Sequence, residues 1–291
     1  MNGMKENFLI VGLGLLGSSY AAVLSGRGYE VGAIDVDAGA LDYAEKQGWI
    51  RHGQQVPTEA YVRRFDCIVF ALYPHVLVDW IASYRSFFRP GTLLTDVTGV
   101  KGCVVGRVQA MLPPGVEFVG AHPMAGREVS GVRNASADLF CGANYLVTPT
   151  PQNTEAAIRR CEELGCLLGC SHISRLTPQQ HDEMIGFLSQ LPHVLAVALM
   201  TCRDTEHLAA YTGDSFRDLT RIGKINDGMW SELFLDNREA LLAEMDRFLE
   251  KFTELKEALE NRDAETLRRL MRLSTERRSR FDRSEEPEKK G

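Results

Sequence analysis

Residues 8–35 read FLIVGLGLLGSSYAAVLSGRGYEVGAID. A short apolar run, Phe8–Gly12, reads as a strand. Leu15–Gly26 reads as a helix, and Tyr29–Asp35 as a second strand. Between the first strand and the helix stands Gly12-Leu13-Gly14-Leu15-Leu16-Gly17, a G-x-G-x-x-G loop in the strand–turn–helix context that gives the pattern its mechanism. Gly12 permits the tight turn. Gly14 lets the backbone approach a pyrophosphate, and Gly17 lets the helix pack closely on the strand. The helix N-terminus, entered through Leu15 and Leu16, offers N–H groups and partial positive charge to phosphates. Asp35, at the end of the second strand, is placed to accept from a ribose 2′-hydroxyl. Its charge opposes a 2′-phosphate, and Val36 and Asp37 supply no cation. The expected cofactor is therefore NAD rather than NADP, held by Gly12, Leu13, Gly14, Leu15, Leu16, Gly17 and Asp35.

Working outward, strand and helix signals alternate. Asp66–Leu72, Thr92–Asp96 and Val116–Ala121 read as strands, with helical segments around Val76–Phe88 and Cys103–Met111. Weaker strands at Asn144–Thr148 and Ser171–Ser174 flank a helix near Thr154–Leu168. This alternation predicts an α/β fold: a Rossmann-type, doubly wound, mostly parallel sheet covered on both faces. From Thr177 the pattern turns helical. Thr177-Pro178-Gln179-Gln180 has the form of a capping box with proline at the first helical position. A very apolar helix follows, through Leu188, Leu191, Val194, Leu195, Val197, Ala198 and Leu199. Further helices are expected at Asp214–Ile222, Met229–Glu260 and Ala264–Phe281. The predicted domains are thus 1–176 for the dinucleotide and 177–283, all helical, for substrate and dimerisation, with a disordered charged tail at 284–291. The apolarity of the helix after Pro178 points to a homodimer interface.

The chain has 291 residues, net charge −6, 44% hydrophobic and 25% charged residues. That balance speaks against a general nucleic-acid binder. The arginines Arg268, Arg269, Arg272, Arg277, Arg278 and Arg280 are interleaved with Glu265 and Glu276 and read as a solvated helix face. The 7 cysteines, an odd number without a secretory signal, fit a reducing cytoplasm. Cys161, Cys166 and Cys170 lie among leucines and read as buried, inert thiols rather than metal ligands. No apolar run is expected to span a membrane, and no metal is expected.

Ligands of open α/β sheets bind beyond the carboxyl ends of the strands. Two polar clusters fall there: Asp96–Lys101 (DVTGVK) and His122–Gly126 (HPMAG). His122, directly off a strand end beside small residues, is a candidate base for a carbinol proton. In the helical half, His181, Asp182, His193 and Arg221 are polar residues in apolar surroundings, each of which could instead serve the core. A buried arginine normally needs an anion; a substrate carboxylate or Asp218 would serve. Trp230 reads as core or pocket wall.

Taken in order, the glycine loop, DVTGVK, HPMAG, His181-Asp182, Leu191-Pro192-His193, Leu219–Ile222 (LTRI) and Met229-Trp230 resemble the prephenate/arogenate dehydrogenases of tyrosine biosynthesis, over about Phe8 to Phe281. The resemblance implies a cytoplasmic, homodimeric enzyme that oxidises and decarboxylates prephenate, or alternatively arogenate, with NAD. It implies His122 as the catalytic histidine, His193 and Arg221 as substrate contacts and Trp230 as a pocket residue. Because a strong ion pair on the departing carboxylate would stabilise the ground state, Arg221 is assigned the side-chain carboxylate. Many relatives carry a serine where Gly99 stands; here only Thr98 offers a neighbouring hydroxyl, and it is the candidate substitute. A β-hydroxyacid dehydrogenase would place a lysine on the first helix of the second domain, yet none lies between Lys101 and Lys224. An NAD-sensing module would have no use for His122 and Arg221 together.

Overall fold

The computed structural model describes residues 6–127, 129–204 and 206–281. The expected tail, 284–291, and the last residues of the expected helical domain lie outside them. Strands β1 (Asn7–Val11), β2 (Glu30–Ile34), β3 (His52–Gln54), β4 (Cys67–Phe70), β5 (Leu93–Asp96) and β6 (Glu117–Phe118) form a six-stranded sheet in the order β3-β2-β1-β4-β5-β6. Every pairing in it is parallel. Strands β7 (Gly120–Pro123), β8 (Asn144–Thr148) and β9 (His172–Arg175) form a second sheet, with β7 antiparallel and β9 parallel to β8. Helices α1 (Leu15–Gly26), α2 (Ala38–Lys46), α3 (Glu59–Val62), α4 (Pro74–Tyr84), α5 (Val105–Gln109) and α6 (Glu155–Leu168) connect them. The sheet splits the core in two. Phe8 and Ile10 pack into one apolar cluster with Tyr20, Leu24 and Leu164, while Leu9 and Val11 pack into another with Leu77, Ile81 and Phe118. Alternate residues of β1 thus serve opposite faces, as a doubly covered strand requires.

Helices α7 (Pro178–Ile185), α8 (Leu191–Thr201), α9 (Leu208–Tyr211), α10 (Asp214–Thr220), α11 (Asp227–Asp236), α12 (Arg238–Glu260) and α13 (Ala264–Arg278) complete the chain. The capping box at Thr177 is formed in both directions, Thr177 with Gln180. Among the described residues two compact units are distinguished, Met1–Leu241 and Leu242–Gly291. This division falls later than the expected boundary near Leu176. The reason is local: Lys101 and Gly102 donate their backbone N–H groups to Asp182, and His75 bonds Glu232, so α7 and α11 are tied to the sheet domain. Within the second unit, Asp263 caps α13, and Arg269 pairs with Glu254 at 2.6 Å.

Four expectations are corrected. The strand expected over Val116–Ala121 is two strands in different sheets: pairing with β5 ends at Phe118, and from Gly120 the chain pairs with β8, where Gly120 lies so close to Thr148 that a Cβ would lie 2.4 Å from its hydroxyl oxygen. The helix expected over Met229–Glu260 breaks at Asn237, whose buried amide donates to Asp182 O at 2.9 Å and Gln190 Oε1 at 2.7 Å. The apolar helix after Pro178 is interrupted by a π-helical turn, Gly186–Gln190; Pro192 lacks the N–H that an unbroken α-ladder needs there. Finally, Pro178–Thr201 is, by length and composition, long and apolar enough to cross a membrane, contrary to expectation. Only 28% of its most apolar window is buried within the chain, leaving Phe187, Leu188, Leu199 and Met200 exposed.

Candidate functional site

The glycine loop does what its spacing requires. Gly12 has φ +96, and a Cβ there would lie 2.4 Å from Ala71 O. A Cβ on Gly17 would lie 1.9 Å from Gly12 O. Both positions are closed to any side chain. Gly14 differs: it is exposed, and nothing lies within 4 Å of the position its Cβ would take. That open approach is the one a pyrophosphate needs. Leu13 is buried and anchors the loop in the core, while Leu15 and Leu16 open α1. No side chain caps α1 and its first turn carries no acid, so its first N–H groups and partial positive charge are available to an anion. Asp35 braces the loop, accepting from Leu13 N at 2.5 Å and from Asp37 N at 2.8 Å. Each carboxylate oxygen has two lone pairs, so bracing leaves capacity for a ribose hydroxyl. These residues fit a dinucleotide.

The second cluster is made of side chains from three distant segments. Asp96 ends β5 and Lys101 follows it by one turn of loop; both are fully buried. Lys101 Nζ lies 2.5 Å from Asp96 Oδ2 and donates to Ala121 O at 2.6 Å, while Ala121 N donates to Asp96 Oδ1 at 3.0 Å. The ion pair therefore holds both backbone groups of Ala121, the residue before His122. It ties β7 to the end of β5 and fixes where His122 begins. His122 Nδ1 lies 3.0 Å from His181 Nε2. His181 Nδ1 lies 2.8 Å from Asp182 Oδ1. Asp182 also accepts from Lys101 N at 2.8 Å and Gly102 N at 2.7 Å. Burial, reinforced by the competing His181 imidazole and the Lys101 charge, holds the His122 imidazole well below its ordinary pKa. Burial also lowers His181, against the opposing pull of Asp182. Both rings are neutral at neutral pH.

Thr98 does not face His122 in this arrangement. Its hydroxyl bonds Asp96 and Val100 O and accepts from Lys101 Nζ at 3.2 Å. The group bonded to His122 is His181. Gly99 abuts α11: its Cβ position lies 3.5 Å from a Leu233 methyl.

His193 and Trp230 come together as a stacked pair, ring centroids 3.7 Å apart at 28°. His193 Nδ1 lies 2.8 Å from Ser189 O. A carbonyl can only accept, so Nδ1 carries the proton in that contact. Arg221 opens a 3₁₀ turn, Arg221–Gly223, packed against α8. It is exposed rather than buried as expected, so desolvation does not oblige its guanidinium to take up an anion. The cysteine expectation is corrected in part. Cys161 is buried, with its thiol pushed up to about 12, and Cys170 is half-buried and pushed up to about 11, both by burial. Cys166, however, is exposed. Among the described residues no group of three His, Cys, Asp or Glu side chains could hold a metal.

Sequence reading singled out His181 and Asp182 without giving them a role, and gave Asp96 and Lys101 none beyond the motif. The adjacency of His181 and Asp182 at a capped helix start was the available signal. The Asp96–Lys101 pair had a weaker one: two opposite charges flanking an otherwise uncharged loop.

Two family models match the chain. Residues 21–170 match the prephenate dehydrogenase nucleotide-binding domain and residues 177–273 the prephenate dehydrogenase dimerization domain. A prephenate dehydrogenase of Bacillus subtilis is 29% identical, over 96% of this chain and 76% of that protein. A cyclohexadienyl dehydrogenase of Zymomonas mobilis is 26% identical, over 90% of this chain and 91% of that one. Among solved structures, prephenate dehydrogenase from Aquifex aeolicus, in complex with hydroxyphenyl propionate and NAD+, superposes with a TM-score of 0.86 at 27% identity, covering 96% of this chain and 99% of that one.

Proposed function

The chain belongs to the prephenate dehydrogenase family, and from that premise we propose how its own residues carry out the reaction. The enzyme is an oxidoreductase that couples oxidation of a ring carbinol to loss of CO₂. Prephenate becomes 4-hydroxyphenylpyruvate, and aromatisation drives the step. NAD, held by Gly12–Gly17 and Asp35, supplies the hydride acceptor. His122 takes the proton of the 4-hydroxyl through Nε2, since its Nδ1 is engaged with His181. His193 and Trp230, stacked on each other, line the substrate side, and Arg221 holds the side-chain carboxylate. Thr98 contributes from beneath, through Asp96 and Lys101, rather than by touching the base.

The functional division is 1–176 for the dinucleotide and 177–283 for substrate and the partner subunit. A second copy of this chain covers the exposed apolar face of Pro178–Thr201, which is the homodimer reading of a helix that is also long enough for a membrane span. The partners of this reading are a small-molecule substrate and a second copy of the chain, and the enzyme works in the cytoplasm. The substrate reading is carried by the neutral His122 on β7, bonded to His181, because decarboxylative oxidation of a carbinol needs a base that is unprotonated at neutral pH.

The test is NADH formation followed at 340 nm with prephenate and arogenate in parallel. Prephenate is expected to be turned over; turnover of neither substrate would reject the reading. His122→Asn is expected to lower kcat by roughly 10²- to 10⁴-fold with NAD affinity nearly intact. In the wild type, kcat/KM falls as pH drops through the His122 pKa. Because that pKa is lowered, the acid limb lies below the ordinary imidazole range. A limb above it would contradict the assignment.

A further inference from the structure

We propose that His181 is a positioning residue, which, with its own Nδ1 proton held by Asp182, receives the Nδ1–H of His122 and thereby turns the His122 Nε2 lone pair toward the substrate hydroxyl. The proposal rests on the reading of His122 as the base.

The contacts of three side chains decide where each proton sits. Asp182 is a carboxylate that accepts from two backbone N–H groups, Lys101 N and Gly102 N. It has no proton to give. His181 Nδ1, 2.8 Å from Asp182 Oδ1, must therefore be the donor in that contact. His181 is fully buried, and burial keeps it neutral. A neutral imidazole with its proton on Nδ1 has a bare Nε2. That bare nitrogen lies 3.0 Å from His122 Nδ1. If His122 carried its proton on Nε2, two lone pairs would face each other across this distance, and the base would be blocked by its own proton. Only the Nδ1–H tautomer of His122 satisfies every contact.

The Asp182 carboxylate also supports the protonated state of the base. When Nε2 of His122 takes the substrate proton, the ring becomes an imidazolium whose Nδ1–H is already donated toward a ring backed by Asp182. The Asp–His pairing that orients a base and supports its cation is the general logic of catalytic triads, here extended through a second imidazole. The proton remains on His122; no transfer to Asp182 is needed. The charged groups around the two rings are Lys101, which opposes a positive charge on His122, and Asp96 and Asp182, which favour one on His181.

Asp182 is itself held. Its carbonyl accepts from Asn237, which also bonds Gln190, which in turn donates to Leu233 O at 2.9 Å. The break between α11 and α12 and the end of the π-helical turn thus converge on the residue that sets the tautomer.

The experiment compares His181→Asn, His181→Gln and His122→Asn in the full-length enzyme. Asparagine keeps a donor near Asp182 but withdraws the acceptor from His122; glutamine restores an acceptor near the Nε2 position. For His181→Asn, kcat is expected to fall roughly 10- to 100-fold, the scale set by removing the outer hydrogen-bond partner of a metal-ligating histidine. KM for prephenate and Kd for NAD should change far less, and the acid limb of kcat/KM should move. His181→Gln should recover a large part of kcat. Wild-type kcat in His181→Asn would overturn the proposal. So would a loss with an unmoved pH profile and no recovery in His181→Gln, which is the signature of packing alone. Should the variants not fold, ¹⁵N-histidine spectra of the wild type decide: a protonated Nδ1 and bare Nε2 on His122 support the relay, and the reverse tautomer overturns it. Full turnover in His122→Asn would reject the base itself. An inactive His122→Asn beside a fully active His181→Asn would reject only the relay.

Discussion

At the glycine loop the groups offered to a ligand are backbone N–H groups, whereas at the start of β7 they are side chains brought from residues 96–101, 121–122 and 181–182. The loop needs little beyond shape: a turn at Gly12, an open approach at Gly14, a close helix at Gly17. Its ligand contacts carry partial charges and need no counter-ion. The histidine cluster needs charge. It is built over a fully buried ion pair, Asp96–Lys101, whose desolvation is tolerated because every partner is supplied: Thr98, the Ala121 carbonyl and the Ala121 N–H. A site made of backbone is set by local spacing. A site made of side chains depends on distant elements arriving in register, and on the polar groups beneath them being fully paired.

The most damaging change should therefore be one that unpairs the cluster. Lys101→Met keeps most of the side-chain volume and removes the charge, leaving Asp96 buried without its cation and the Ala121 carbonyl without its donor. Breaking a buried pair from one side costs about 3–5 kcal/mol, a large part of a typical domain's stability. The urea midpoint should drop accordingly, and activity should fall with it. A loss below about 1 kcal/mol would mean that something other than the pair holds Ala121, and the contrast between the two sites would weaken.

The loop can be broken without touching the cluster. Gly17→Ala places a Cβ 1.9 Å from Gly12 O, a contact no rotamer can relieve, so stability and NAD affinity should fall together. Gly14→Ala meets no protein atom within 4 Å, so the thermal midpoint should stay within a degree or two while KM for NAD rises roughly 100-fold, about 2.7 kcal/mol. Both are read by thermal unfolding and NAD titration. Unchanged NAD affinity in Gly14→Ala would show that the pyrophosphate does not approach there.

The same contrast explains what could be read from the sequence. The loop, Asp35 and the parallel sheet were legible because each signal lies within about 30 residues, the length of one βαβ unit. His122 was legible as a histidine beside small residues, but the expected place directly off a strand end is corrected: it lies within β7, paired with Leu146. The partner of His122 was not: Thr98 is 24 positions away from it by sequence number and His181 is 59, and nothing in the spacing says which of them faces the ring. The break at Val119, which separates β6 from β7, was hidden because Val116–Ala121 is uniformly apolar apart from Glu117 and reads as one strand. The break at Asn237 was hidden for the opposite reason. A single asparagine is weak evidence against a helix, and here it acts through tertiary bonds to Asp182 and Gln190. The surface of Pro178–Thr201 was legible as apolar, but apolarity alone does not distinguish a subunit partner from a lipid.

The smallest expected effect is also the one that most sharply separates the two ways of activating His122. The resemblance in sequence implies a serine in many relatives where Gly99 stands. A Cβ at Gly99 would meet Leu233 methyl carbons at 3.5 and 3.7 Å, ordinary contact distances, and the backbone there is not in the left-handed region. Gly99→Ser should thus be accommodated, with stability changed by less than about 0.5 kcal/mol. If His181 already directs the His122 proton, a new hydroxyl adds little, and kcat should change by less than about three-fold, under roughly 0.7 kcal/mol of barrier. A rise above about ten-fold would mean that His122 lacks an orienting partner in the wild type, and that the hydroxyl supplies what the His181–Asp182 pair was assigned. Measured in the His181→Asn background, the same substitution should help more than in the wild type, because the added hydroxyl then works on a base that has lost its partner.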